Sequence, residues 1–376
     1  MRAVPNKVLL SLTLAGFAAL AGTGFVSEAP NRLLSGRPIT LWHAVDTPIL
    51  AGLGLLALVL FILSESKPRP LVHGAAAASA ALLLLLLIDG AGEAAAALAH
   101  GASPAARTLL GPAFWLAGLC ALLAIIDGLQ RLKAGPALRL GVALALSGLI
   151  AALITSGRLD ALSLLREFAV RRTEFAAALG RHCLLVIGAL VPALLIGMPL
   201  GLFVARRPHH KGAVFTALNL LQTIPSVALF GLLIAPLSAI GVGGIGAAPA
   251  VIALVLYSLL PVVRNTEAGI TGVDPAVVES ARGMGFTPRE ILWRVEAPLG
   301  LPVFLAGLRI VLVQAIGLAV VAALIGAGGL GTFVFQGLGQ YAIDLVLLGA
   351  IPAILLALAA DFGMRLLIAV TARSAP

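Results

Sequence analysis

A chain of 376 residues that is 60% hydrophobic and 11% charged, with a mean hydropathy of +1.10, excludes a soluble globular domain, where charged residues average about 25%. Its net charge of +9 is scattered through short loops and never interleaves with aromatic side chains, which reads as membrane topology and excludes a nucleic-acid binder. Cys120 and Cys183 lie inside apolar runs without CxxC spacing, so they read as core thiols and exclude a disulfide framework.

Lipid offers no partners to backbone N–H and C=O groups, so spanning segments are helices or a closed barrel. The apolar runs here are long, rich in Leu and Ala, and do not alternate, which selects helices and an all-α polytopic membrane protein. The first run, residues 8–27, follows Arg2 and Lys7. It is long enough to span and no small-x-small cleavage site follows, so it reads as a span and not a signal peptide. Further runs cover 41–63, 71–88, 105–126 and 140–156. Residues 157–181 are rich in charge, and Ala161, Leu164, Leu165, Phe168 and Phe175 recur at helical spacing, which predicts a helix lying in the interface. Runs at 182–205, 213–239, 246–263, 302–326 and 345–370 bring the expected total to about ten.

Charge orients these spans. With both termini inside, the segments 1–7, 64–70, 127–139, 206–212, 264–301 and 371–376 hold fifteen of the 25 Lys and Arg residues. The outer segments 89–104, 240–245 and 327–344 hold none, and carry Asp89, Glu93 and Asp344 instead. Arg32 and Arg37 in 28–40, and five arginines in 157–181, run against the rule. The shift in composition at 157–181 is also the best domain boundary, separating 1–157 from 158–376.

Between the eighth and ninth runs lies a water-compatible stretch, Asp274 to Pro298. Asp274 suits a helix N-cap and Pro275 its first position. Val277, Ser280, Ala281 and Met284 then share one face. Gly283 and Gly285 suit the left-handed conformation that ends a helix. Thr287, Pro288 and Glu290 fit a capping box that starts a second helix, Ile291, Leu292 and Val295 form its apolar face, and Pro298 discourages continuation. A loop that only connects spans needs no such compact helix–turn–helix, which points to a docking partner.

Glu279, Ala281, Gly285, Val295 and Pro298 resemble the EAA loop of ABC importer permeases. That pattern is Glu-Ala-Ala, Gly at the seventh position and, after nine further residues, Ile-x-Leu-Pro. Ser280 stands for the first Ala, Val295 for the Ile and Ala297 for the Leu. The resemblance implies that Glu279, Ser280, Ala281, Arg282, Gly283, Gly285, Val295 and Pro298, within a coupling loop 264–301, insert into a groove of a cytoplasmic ATPase subunit. It extends through Gly197-Met198-Pro199-Leu200-Gly201, Leu221-Gln222-Thr223-Ile224-Pro225-Ser226, Leu259-Leu260-Pro261-Val262-Val263-Arg264-Asn265-Thr266 and Ile325-Gly326-Ala327-Gly328-Gly329-Leu330-Gly331. Together these resemble the branch that imports glycine betaine, choline, carnitine and related osmoprotectants. The implied core is five helices in 158–376, and an extra N-terminal block of spans like 1–157 resembles one subgroup.

Polar residues deep in apolar runs mark candidate translocation helices. Gln222, Thr223, Pro225 and Ser226 lie inside a run of about 27 residues, where Pro225 breaks the ladder and polar groups need partners in the bundle. Asn265 joins them as a candidate. Polar helix contact with a packing kink accounts for the same residues. Arg309 and Gln314 lie in the ninth run, and Arg309 is expected to snorkel or to pair with an acid. His43 and Asp46 are spaced to pair on one helix face, while Trp42 suits an interfacial anchor. Gly326, Gly328 and Gly331 satisfy GxGxxG but follow an apolar helix with no βαβ unit, so a tight outer turn is expected and not a dinucleotide site. Adjacent His209 and His210 do not suggest a metal site. No nucleophile–base arrangement is present.

No GxxxxGK[ST] occurs, so ATP and Mg are expected in a partner ATPase, with no cofactor or metal in this chain. Aromatics are only 5%, too few for cation–π cages, so solute capture is expected in a separate extracytoplasmic binding protein. A second permease subunit, identical or homologous, and membrane lipid complete the expected partners in a bacterial inner membrane. Two other readings remain: a same-fold permease for amino acids or another small solute, and an ion-driven secondary transporter.

Overall fold

The computed structural model describes residues 6–31, 34–103 and 105–373. Arg2 and Arg32, counted above among the loop charges, lie outside them. Contacts divide the chain into two compact units, Met1–Val170 with Gln340–Asp344, and Arg171–Gly339 with Leu345–Pro376.

The first unit contains α1 (Lys7–Gly22), β1 (Val26–Ala29), β2 (Arg37–Ile39), α2 (Leu41–Ala44), α3 (Thr47–Glu65), α4 (Pro70–Ala99), β3 (Arg107–Leu110), α5 (Pro112–Arg131), α6 (Pro136–Thr155) and α7 (Ser163–Val170). Helix α4 runs through its centre. Ala76, Ala80, Leu83, Leu87, Ala91 and Ala94 are buried there in one cluster with leucines of α3 and alanines of α5. Alanine at so many contacts lets helix backbones approach closely, as van der Waals packing in lipid favours. The Asn6 side chain caps α1, accepting from the Leu9 N–H at 3.2 Å, and donates to Asp127 on α5 at 2.7 Å.

A small antiparallel sheet of order β2-β1-β3 was not foreseen. Val26 pairs with Ile39 on one side and Leu110 on the other. Strands of three or four residues are too short for alternation to stand out beside 20-residue apolar runs. The sheet also corrects the fourth run. Its helix starts at Pro112, a residue suited to a first helical turn, and 107–110 is strand.

Residues 157–181 do not form one amphipathic helix. The chain turns at 157–162, winds α7, and restarts at Arg172 in a 35-residue helix. The most buried positions of α7 are polar: Ser163 donates to Asp344, and Glu167 lies 3.7 Å from Arg107. Ala161, Leu164, Leu165, Phe168 and Phe175 are only half-buried. Spacing found the helical turns, but charge pairing chose the inward face.

The second unit contains α8 (Arg172–Arg206), α9 (Pro208–Thr223), α10 (Ser226–Ala239), α11 (Ala247–Thr271), α12 (Pro275–Gly283), α13 (Pro288–Ile291), a π-helical segment Leu292–Glu296, α14 (Ala297–Val321), a 3-10 turn Ala322–Ile325, α15 (Gly331–Gly339) and α16 (Ile343–Arg373). Helix α11 packs between α8 and α14, with Ala250, Ala253, Leu254 and Val263 fully buried. Glycines set the crossings. A Cβ at Gly197 would stand 2.6 Å from Val262, and one at Gly201 2.8 Å from the Val263 carbonyl. A Cβ at Gly300 would overlap the Gly269 carbonyl, so α11 and α14 touch backbone to backbone there.

Each of the ten apolar runs contains helix. Eight helices among the described residues are long and apolar enough to cross a membrane, and the pair α9–α10, bent by 99°, brings the number up to nine. At 16 residues, α1 falls short of a typical span.

Candidate functional site

The stretch 274–298 folds as its caps dictate. The Asp274 carboxylate accepts from the Ala276 N–H at 2.8 Å and starts α12. The end of α12 is a Schellman motif: the Phe286 N–H reaches the Ala281 carbonyl at 3.2 Å, and the Gly285 N–H reaches Arg282 at 3.0 Å. Only Gly285, at φ +88°, takes the left-handed conformation; Gly283 stays helical. The Thr287 hydroxyl then accepts from the Glu290 N–H, while the Glu290 carboxylate accepts from the Thr287 N–H at 3.0 Å and from its hydroxyl at 2.9 Å. The Thr287 N–H, then its hydroxyl, and the Arg294 cation together hold the Glu290 carboxyl below the usual range.

One expectation needs correction. Pro298 does not stop the helix, because the preceding turn is π: the Ala297 N–H reaches back to the Leu292 carbonyl. That wider turn accommodates the proline, and the helix continues as α14. The shared face of α12 is largely left uncovered by this chain. Ala281 is buried, but Val277, Ser280 and Met284 are exposed, Met284 at 69%. Trp293, 67% exposed, adds to the uncovered apolar surface, whereas Ile291 is buried and Leu292 and Val295 are half-buried. Glu279 pairs with Arg282 at 2.5 Å, with both side chains about two-thirds exposed. An exposed pair of this kind adds little stability.

The loop meets the spans through charge and close contact. Arg206, ending α8, forks onto Glu296 with Nη1 at 2.9 Å from Oε1 and Nη2 on Oε2. Lys211 on α9 holds Glu267 on α11 at 2.8 Å.

The translocation candidates divide. Helices α9 and α10 break at Ile224-Pro225, and Pro225 caps α10. Gln222 donates to the Tyr257 carbonyl at 2.9 Å. That carbonyl lacks its helical partner because residue 261, four positions on, is a proline without an N–H. Tyr257 in turn donates its hydroxyl to the Ile224 carbonyl at the break. Glutamine thus satisfies a carbonyl that Pro261 sets free, and tyrosine one that the helix break before Pro225 leaves open. Thr223 is exposed and bonds its own helix at Leu220, and Ser226 is half-buried beside the break. Asn265 faces a different neighbour: it donates to the Pro261 carbonyl at 2.7 Å and packs on Gly307. Sequence reading missed Tyr257 as a partner of the break, although its place four residues before Pro261 is the signal.

Elsewhere, Arg309 pairs with Asp361 at 2.5 Å. Gly326 and Gly328 take left-handed turns after the 3-10 segment. His43 and Asp46 do not pair, because the chain breaks at Val45: His43 bonds Thr40, and the Asp46 N–H meets Glu93.

Residues 5–165 match the family described as "ABC transporter permease YehY, N-terminal domain". Residues 197–371 match "Binding-protein-dependent transport system inner membrane component". The chain is 40% identical over 184 residues to the carnitine transport permease protein OpuCB of Listeria monocytogenes, covering 49% of this chain and 82% of that one. It is 44% identical over 182 residues to the osmoprotectant import permease protein OsmW of Salmonella typhimurium, covering 48% and 84%. A solved inward-facing MetNI methionine ABC transporter overlaps 52% of this chain and 95% of its own at 21% identity, with a TM-score of 0.49. The chain belongs to the family of binding-protein-dependent transport system inner membrane components: it is a multi-pass inner-membrane permease subunit of the ABC type, a transport component and not an enzyme.

Proposed function

We propose that this permease imports an osmoprotectant, a quaternary amine of the glycine betaine, choline or carnitine kind. Similarity to permeases named for carnitine and osmoprotectants supports that solute class. In this reading residues 158–376 form the transport domain and 1–157 an accessory region. Two such subunits, identical or homologous, assemble with two cytoplasmic ATPases that bind ATP and Mg, and with an extracytoplasmic solute-binding protein. Glu279, Ser280, Ala281, Arg282, Gly283, Gly285, Val295 and Pro298 build the loop that docks on the ATPase. The broken helix α9–α10, with Gln222, Thr223, Pro225 and Ser226, borders the solute path, and Asn265 steadies α11 against α14. Closure of the ATPases on ATP shifts the docking loops and exchanges inward- and outward-open states.

The observation that carries the docking assignment is the uncovered apolar surface of a rigidly capped loop: Val277, Met284 and Trp293 stay exposed beside the Glu279–Arg282 pair. Purification of the tagged chain in mild detergent, with and without Glu279→Lys, tests it. The expected result is a P-loop ATPase recovered with the native chain and lost with the variant, while glycine betaine uptake falls in parallel. A well-folded native chain that recovers no ATPase refutes the assignment.

A further inference from the structure

The loop 274–298 is joined covalently to two helices only, α11 before it and α14 after it. These two already touch backbone to backbone at Gly269 and Gly300, where a Cβ on Gly269 would stand 3.0 Å from the Gly300 carbonyl oxygen. They are therefore suited to move as one piece. Helices α8 and α9 have no such connection to the loop. Helix α8 packs on α11 at Gly197 and Gly201, within the spans, but the bond that ties its end to the end of the loop is ionic. Arg206 is the last residue of α8, and both its terminal nitrogens bond Glu296, the last residue of the π turn through which the loop enters α14. Five residues later, Lys211 on α9 bonds Glu267 on α11. The short turn between α8 and α9 is thus pinned on both sides.

Glu296 is 3% exposed. Removing a carboxylate from water is expensive, and an apolar pair of the same volume would often be as stable or more so. What a two-point guanidinium–carboxylate fork adds is orientation, because two parallel bonds fix the rotation of one helix end against the other. Its position on a π turn is also distinctive. Such a turn is rare and marks a place where regular helix is interrupted. We infer that Arg206 and Glu296 are a positioning pair for transport: the fork couples α8, and through the pinned turn α9, to movement of the docking loop. The inference rests on the reading of 274–298 as the ATPase-docking loop.

The test uses the whole transporter, assembled in liposomes with the ATPase and binding protein it co-purifies with, and glycine betaine as the probe. Three quantities are measured together: ATPase recovered with the permease, ATP hydrolysed, and solute moved per ATP. Loss of one charge-assisted bond is worth about 1.5–3 kcal/mol, so Glu296→Gln and Arg206→Lys are expected to lower solute moved per ATP by roughly tenfold or more. ATPase recovery and hydrolysis should stay near native. The exchange Arg206→Glu with Glu296→Arg rebuilds the pair and should restore most of the ratio, and it is the ratio, at native recovery and hydrolysis, that a purely structural loss would leave unmoved. Native solute-to-ATP ratios in both single variants overturn the inference. So do uptake and hydrolysis falling in proportion, or an exchange that folds and restores nothing. If Glu296→Gln fails to fold, Arg206→Lys, which keeps the charge, decides alone. Failure of the native chain to recover an ATPase overturns the docking reading itself, and that outcome is distinct from all of these.

Discussion

Removing the Gln222 amide should cost stability only while Pro261 is present. In the native chain the Tyr257 carbonyl has no helical partner, and Gln222 supplies one at 2.9 Å. Gln222→Met keeps the length of the side chain and leaves that carbonyl unpaired. A stranded acceptor costs about 1–3 kcal/mol, whereas interhelical hydrogen bonds in membranes average about 0.6 kcal/mol. The expected loss is therefore close to 1 kcal/mol. Pro261→Ala returns an N–H to position 261 and lets α11 satisfy its own carbonyl. In that background Gln222→Met should be nearly neutral, giving a coupling energy of about 1 kcal/mol between residues on different helices. Purified permease in detergent, unfolded by heat or by titration with a denaturing detergent, measures all four corners of the cycle. Equal losses with and without the proline would refute the reasoning, since Gln222 would then be stabilising something other than the freed carbonyl. Tyr257→Phe provides a parallel readout, because its hydroxyl serves the Ile224 carbonyl at the Pro225 break.

Other consequences are as direct. Gly300→Ala places a methyl on the Gly269 carbonyl and should destabilise by about 1–3 kcal/mol, whereas Gly317→Ala on the same helix meets nothing within 4 Å and should be neutral or mildly stabilising. Thermal unfolding of the two variants side by side checks this, and equal effects would contradict it. Gly285→Val has open space around it but must hold φ +88°, at about 1–2 kcal/mol. Uptake should fall while the binding protein still captures solute, and Gly285→Asn should recover part of the loss. Glu290 has a lowered folded pKa, so its contribution to the turn is complete above the ordinary glutamate value of about 4.3 and disappears as pH falls through the lowered value. Amide exchange at Thr287 and Glu290, corrected for intrinsic rates, should accelerate over that acid range in the native chain and be insensitive to pH in Glu290→Gln.

The sequence by itself determined the class of fold and the place of the capped loop 274–298. Twenty-residue apolar runs in a solvent without hydrogen-bonding partners leave the backbone little but helix, so each run contains helix. Caps are local as well: Asp274, Gly285 and the Thr287–Glu290 box act within a few residues of themselves, and all three formed as their spacing implies. Where a reading needed a neighbour distant in the chain, spacing alone was insufficient. Gln222 was visible as a polar residue in an apolar run, but its acceptor lies 35 positions away and exists because of a proline on another helix. Pro298 looked like a stop, and only the π turn before it lets α14 proceed. The face of α7 was read from apolar spacing, but partners at Arg107 and Asp344 turned its polar residues inward. Arg206 and Glu296 are 90 positions apart, and no spacing in the sequence links them. Hydrophobicity and capping are properties of a short window and survive in one dimension. Which charge, carbonyl or glycine meets which other is decided when helices pack, and tertiary structure alone supplied that.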